Sequence, residues 1–177
     1  MSQQVVVAPT QMLRETDALG WTAQGPRSRE LLRARDDSIR AELAARGVDR
    51  QWVFPEAVER ASKLNPTYAV DPYRLDARGL ANPKVVAGDR VGGALATQLR
   101  TMVALQESAR AVLLPAELRF DRLPSGEGAA VLHVAVIDAR MGDIRWIGDV
   151  RSDSSPTFSR ALLSSLAAHL ADLISAP

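Results

Sequence analysis

The apolar runs at residues 129–139 and 144–152 face each other across Arg140-Met141-Gly142-Asp143, and no other stretch constrains the fold as much. They read as a β-hairpin with a choice of registers. Closed by a tight Met141-Gly142 turn, Ile137 would oppose Trp146 and His133 would oppose Val150. One face would then mix Leu132, Val134 and Val136 with Arg145, Asp149 and Arg151. Closed by a longer turn ending in a bulge, Val136 opposes Trp146 and Val134 opposes Gly148. That register gathers Leu132, Val134, Val136, Ile144, Trp146 and Val150 on one apolar face. It leaves His133, Arg145, Asp149 and Arg151 on the other. A one-residue slip exchanges the faces, so burial selects the second register. Gly142 also suits its left-handed turn position, whereas the tight turn would force Met141 to positive φ. His133 then stands opposite Asp149, in reach of an imidazole–carboxylate contact that reads as structural.

The remaining elements follow from periodicity. Residues 4–8, Q-V-V-V-A, suit a strand buried on both faces. Residues 10–29 are polar and glycine-containing and read as a loop, with Leu19 and Trp21 pinning it. Leu32, Ile39 and Leu43 mark one face of a helix over residues 30–46, stopped by Gly47. Residues 51–54 form a short strand, and Pro55 opens a helix to about Leu64. Leu95, Leu99, Met102 and Val103 place a helix over residues 93–110. Residues 111–114 form a buried strand that runs past Pro115, where an edge or bulge is expected. Ser155 and Pro156 are expected to start the last helix, striped by Phe158, Leu162, Leu166, Leu170 and Leu173. The order β-α-β-α-loop-α-β-β-β-α implies a single α/β domain over residues 1–177. Its expected sheet is mixed and five-stranded, with a parallel βαβ start, an antiparallel meander at the end and helices packed on it. Residues 65–92, rich in proline and glycine, form a long irregular loop, expected to pack over the body through Tyr68 and Tyr73.

Composition narrows the function classes. The net charge is +1, without the basic excess of a nucleic-acid domain. Of the 22 basic residues only Lys63 and Lys84 are lysines. Cysteine is absent, so disulfides, thiolate metal sites and cysteine nucleophiles are excluded. No apolar run is long enough to span a bilayer, and no signal peptide is visible.

Catalytic patterns are lacking. His133 and His169 are isolated and have no metal-ligand spacing, so no metal or nucleotide cofactor is expected. There is no G-x-S-x-G elbow. The glycines of residues 88–93 show neither Walker nor dinucleotide spacing and read as a loop-to-helix junction. Asp36 and Asp37, among Arg33, Arg35 and Arg40, are expected on a solvated, ion-paired helix face. Asp138 and Asp143 read as turn formers. The chain is therefore read as non-enzymatic. Trp52, Phe54, Tyr68 and Tyr73, with Arg74 beside them, gather around the second strand and the long loop. They form a partner-binding surface or staple the loop to the core.

The opening Val5-Val6-Val7-Ala8-Pro9 and the helix end Leu43-Ala44-Ala45-Arg46-Gly47 resemble a known family type. So do Leu95 to Arg100 leading into Val112-Leu113-Leu114-Pro115, and the hairpin from Val136 to Trp146 with its C-terminal amphipathic helix. The pattern is similar to the small α/β domains of bacterial envelope proteins. These include the amino-terminal domain of TolB, curli-secretion lipoproteins and lipoprotein activators of penicillin-binding proteins. The resemblance implies a periplasmic scaffold that binds an envelope protein partner, often through a lipid anchor whose cysteine this sequence lacks. The competing reading is a cytosolic enzyme or small-ligand-binding domain with its site under residues 65–92.

Overall fold

The computed structural model describes residues 4–14, 18–24, 28–106 and 109–175. Its strands are β1 (Gln4–Val7), β2 (Met12–Leu13), β3 (Trp52–Val53), β4 (Ala109–Arg122), β5 (Gly128–Asp138) and β6 (Asp143–Arg151). Its helices are α1 (Trp21–Gln24), α2 (Ser28–Ala45), α3 (Pro55–Leu64), α4 (Gly93–Ala104) and α5 (Arg160–Ser175). The sheet order is β3-β1-β4-β5-β6. β1 lies parallel to both β3 and β4, while β4, β5 and β6 form an antiparallel meander. The expected mixed α/β sheet is therefore present.

Both faces of the sheet are covered. Val6 and Val7 alternate into opposite cores, which is why β1 carries no polar positions there. On one face, Leu31, Ile39 and Leu43 of α2 and Leu162, Leu166 and Leu170 of α5 pack on Val7, Leu113, Leu132 and Val134. On the other, Leu95, Leu99 and Met102 of α4 and Val58 of α3 cover Val6, Val112, Leu114 and Ile137.

Several boundaries differ from expectation. β2 lies in the segment read as loop and pairs Met12 with Glu117 and Leu13 with Leu118. It prolongs the course of β1 along β4 past Pro9, which cannot donate to a ladder. β4 is bulged between Pro115 and Glu117, as its proline required. α4 stops at Ala104, short of Arg110, because Ala109 is already recruited to pair with Gln4. α5 starts at Arg160 rather than after Ser155. Ser155 is held instead in a bridge to Gly128, with N···O distances of 2.8 and 2.9 Å.

The hairpin has the register that burial selects. Val136 opposes Trp146, Val134 opposes Gly148, and His133 opposes Asp149. Gly142 has φ +78°. The bulge, however, does not end the turn. Ile137 pairs with Ile144 and Asp138 with Asp143, so the extra residue is Arg145 within β6. That insertion inverts the alternation. Ile144 therefore joins the α4 core with Ile137 instead of sharing the face of Val136 and Trp146.

The turn is fastened by Asp138. Its buried carboxylate accepts from Arg110 Nε at 3.0 Å and Arg145 Nη2 at 3.1 Å. The backbone N–H groups of Arg140 and Met141 donate to it at 3.1 and 3.2 Å. Burial alone would push this carboxyl up, but these donors outweigh burial and hold it below the usual carboxylate range. A folded-state value below the unfolded one adds stability above the unfolded carboxylate range. That stability is lost as pH falls through the folded value. Asp138→Asn is thus expected to cost about 1–3 kcal/mol at neutral pH. Melting curves should show the difference from wild type vanishing as the pH is lowered through the folded-state value, and a pH-independent difference would refute this role.

The long loop packs differently from expectation. Tyr68 is 76% exposed, because residues 65–69 extend the end of α3 into a turn that faces solvent. Leu75, Ala77, Leu80 and Val91 anchor the segment in its place. Arg78–Ala81 forms a 3₁₀ turn. The Gln11 side chain clamps the loop, accepting from Leu75 N–H at 2.9 Å and donating to the Pro72 carbonyl at 2.9 Å. Further along, Gly88 N–H donates to Ile144 O and Ile144 N–H to Asp89 O, both at 2.8 Å, so the loop covers the start of edge strand β6.

Candidate functional site

An apolar groove opens on the α2/α5 face of the sheet. Val5, Trp52, Leu113, Val136, Trp146, Leu170, Leu173 and Ile174 enclose about 330 Å³. Its floor is the sheet, its wall the last turns of α5, and every lining side chain is apolar. Trp52 reaches it from β3, and Trp146 from the strand across the sheet. Trp146 lies close over Gly148: a methyl group there would stand 2.9 Å from the indole ring. The absent side chain thus lets the indole lie along the sheet.

Adjoining clefts lie beneath the start of the long loop. The first, about 330 Å³, is bordered by Arg29, Arg33, Glu59, Lys63, Asp71 and Tyr73, among others. The second, about 280 Å³, shares Arg29, Arg33 and Tyr73 and adds Thr10, Gln11, Leu13, Leu32 and Arg74. The Tyr73 hydroxyl donates to Glu59 Oε2 at 3.3 Å. Its pKa is raised, first by burial and then by the Glu59 charge.

A wider recess, about 560 Å³, lies beside His133. His133 Nδ1 is 2.7 Å from Asp149 Oδ1, and Nε2 is 2.9 Å from the Leu80 carbonyl. Arg119 Nη2 also donates to Asp149, at 2.6 Å. Burial would raise the Asp149 pKa, but the bonds from Arg119 and His133 outweigh it and lower it. The imidazole thus ties the 3₁₀ turn to the sheet. His169 Nδ1 contacts the Arg151 carbonyl at 2.6 Å. Among the described residues no group of three or more His, Asp or Glu side chains is arranged to hold a metal ion. Nor is any described helix long and apolar enough to cross a membrane.

The side chains singled out from the sequence are not brought together. Trp52 lines the apolar groove. Phe54 is buried in the same core, with the Arg40 guanidinium 5.6 Å from its ring centre. Tyr68 stands alone on the surface, whereas Tyr73 and Arg74 border the second cleft. Trp146 was missed as a site residue. Its place beside Val136 in the hairpin register was the signal, since that register puts an indole on the face of β1.

The helix face carrying Asp36 is not the solvated one expected. Arg35 is 0% exposed and Asp36 is buried, not solvated. Arg35 Nη1 lies 3.1 Å from Asp36 Oδ1, which also accepts the Thr10 hydroxyl at 2.8 Å. Arg35 Nε and Nη2 have no hydrogen-bond partner among the described residues. Burial pushes the Arg35 pKa down to about 10 against the opposing pull of Asp36. Burial likewise raises that of Asp36. Arg33, Asp37 and Arg40 are exposed as expected.

No family model matches this sequence, and no curated protein matches it. Solved structures do resemble it. Escherichia coli LpoB is 14% identical over 86% of this chain, with a TM-score of 0.44. This chain spans only 57% of that protein. A lipoprotein of Neisseria meningitidis is 16% identical over 98% of each chain, at TM-score 0.41. The PelC dodecamer from Paraburkholderia phytofirmans is 14% identical over 95% of this chain and 87% of its own, at TM-score 0.38. A bacterial lipoprotein, the type that the sequence resembles, is thus among them.

Proposed function

We propose that this chain is a non-catalytic, protein-binding module of the bacterial cell envelope whose partner docks in the groove between Trp52 and Trp146. The carrying observation is the chemistry of that groove. Small-molecule pockets combine apolar walls with a few convergent polar groups. This groove has no polar side chain in its lining, so it suits apolar side chains of a polypeptide. Part-exposed tryptophans are the residues that most often carry binding energy at such surfaces. The envelope assignment is supported by the sequence resemblance.

Site-specific photocrosslinking in cells tests the proposal. A crosslinker at exposed Leu173, on the groove wall, is expected to capture one discrete envelope protein. The same group at Tyr68 or Met141, exposed elsewhere, should not. Trp146→Ala, or Gly148→Val to displace the indole, should remove the crosslink while the melting temperature stays near wild type. With the purified partner, Trp52→Ala is expected to weaken binding about 30-fold, the scale of a 2 kcal/mol hot spot. Capture at Tyr68 but not Leu173, or of a second copy of this chain, would refute the assignment.

A further inference from the structure

Charged groups in the recesses of this protein are mostly neutralised by neighbours. Beside His133, Arg14 meets Glu117 at 2.6 Å, and Arg119 meets Asp149 at 2.6 Å and Asp121 at 3.2 Å. The clefts beneath the long loop are different. Their carboxylates are already engaged: Glu59 by Lys63 at 2.8 Å, and Asp71 by Arg74 at 3.7 Å. Asp71 also accepts the Tyr73 backbone N–H at 3.0 Å. Arg29 and Arg33 border both clefts, yet neither has an ion pair or hydrogen bond to its side chain among the described residues. They sit four positions apart on α2, so their guanidinium groups share one helix face. Like charges at that spacing weaken a helix, and no described carboxylate lies within ion-pair distance of either.

We propose that Arg29 and Arg33 bind the phosphate group of an organic ligand whose remaining part lies against Tyr73 in the adjoining clefts. A pair of unpaired cations matches a phosphate dianion, and guanidinium forks present donors to several oxygens at once. A monocarboxylate would leave one of the charges unanswered. The flanking volumes, about 330 and 280 Å³, are near the lower end of ligand-sized cavities. Their walls offer apolar and aromatic surface, from Pro66, Val70, Pro72 and Tyr73 on one side and Leu13 and Leu32 on the other. This site is separate from the tryptophan groove, so either assignment can fail without the other.

The shared chemistry is a phosphate monoester, which a soluble phosphorylated sugar or a lipid headgroup can supply. Calorimetric titration of the whole chain with inorganic phosphate and glucose 1-phosphate tests the first source. Flotation with phosphatidic acid vesicles, against phosphatidylcholine vesicles, tests the second. Saturable binding in either arm is expected, weakened tenfold or more by Arg29→Ala and by Arg33→Ala. Arg33→Lys should recover part of it, and Arg140→Ala, at an exposed arginine in the hairpin turn, should change nothing. Saturation in only one arm identifies the source. Absence of saturable binding in both arms would overturn the proposal. Equal weakening by Arg140→Ala would also overturn it, since it would mean attraction by overall charge. Circular dichroism of each variant separates lost binding from lost fold, with Arg33→Gln replacing any variant that unfolds.

Discussion

Replacing Asp36 by alanine is expected to destabilise the protein by about 3–5 kcal/mol, the usual cost of leaving a buried partner charge alone. Arg35 lies in the core between α2 and the sheet, with Asp36 as its ion-pair partner. The same substitution removes the acceptor of the Thr10 hydroxyl and backbone N–H, which ties the end of β1 to α2. In a domain of this size the melting temperature should fall by roughly 6–20 °C. The double variant Arg35→Met, Asp36→Asn is expected to recover most of that loss. It removes both buried charges, while the amide oxygen introduced by Asp36→Asn can still accept from Thr10. The pKa shifts of both groups show burial outweighing their mutual attraction, so each charge left alone would be costlier still. Raised by burial, Asp36 favours the fold below its unfolded pKa and loses that contribution as pH rises through its folded value. A single variant as stable as wild type, or a double variant no better than the single, would refute the pairing.

The second large effect concerns Trp21, which is buried although it belongs to a segment with little regular structure. Its ring meets Phe120 edge-on at 5.7 Å and Phe158 at 6.1 Å, and these phenylalanines meet each other at 5.7 Å. The trio joins α1, β4 and the approach to α5. Trp21→Ala is expected to cost about 3–5 kcal/mol. Gly128 probes the same site from below. A methyl group there would stand 2.3 Å from the Trp21 ring and 2.5 Å from Leu19. Gly128→Ala should therefore cost about 1–3 kcal/mol by overpacking. Joined to Trp21→Ala, it should add less than it costs alone, because the ring is gone and only the flexible end of Leu19 still obstructs the methyl. Denaturant unfolding of the two single variants and the double variant checks this. Strict additivity would show that the glycine and the ring act independently.

The parts that were legible in the sequence are those where one face must be buried. Val136, Trp146 and Gly142 decided the hairpin register because a slip would have buried arginines. The position of the bulge was not legible. Residues beyond it keep the same partners whether the extra residue sits at Gly142 or at Arg145. Arg35 misled for a different reason. Its neighbours Arg33, Asp37 and Arg40 suggested a solvated face, although Arg35 is four residues from both Leu31 and Ile39. That spacing places it on the buried face despite its charged neighbours. Tyr68 and Tyr73, close in sequence, part company because the turn at residues 65–69 faces solvent, whereas the Tyr73 hydroxyl reaches back to Glu59 of α3. The tryptophan groove was illegible from local pattern, since β1, β3, β4, β5, β6 and α5 all contribute to it.

The interior position of β1, between β3 and β4, has a consequence in time. Val6 pairs with Val53 on one side and with Val112 on the other. A ribosome delivers Val5-Val6-Val7 long before β4 exists. Until Val112 emerges, the nascent strand offers an unsatisfied hydrogen-bonding edge and an uncovered apolar face, the condition in which chains associate wrongly. Parallel pairing between such distant segments is also slow to form, because a long loop must close before any contact rewards it. Synthesis therefore passes through a window in which the chain depends on being kept apart from its own copies. A rearranged domain that opens between β3 and α3 and links α5 to β1 should deliver β4 before β1. It is expected to shorten that window and to reduce aggregation during translation without altering the folded sheet.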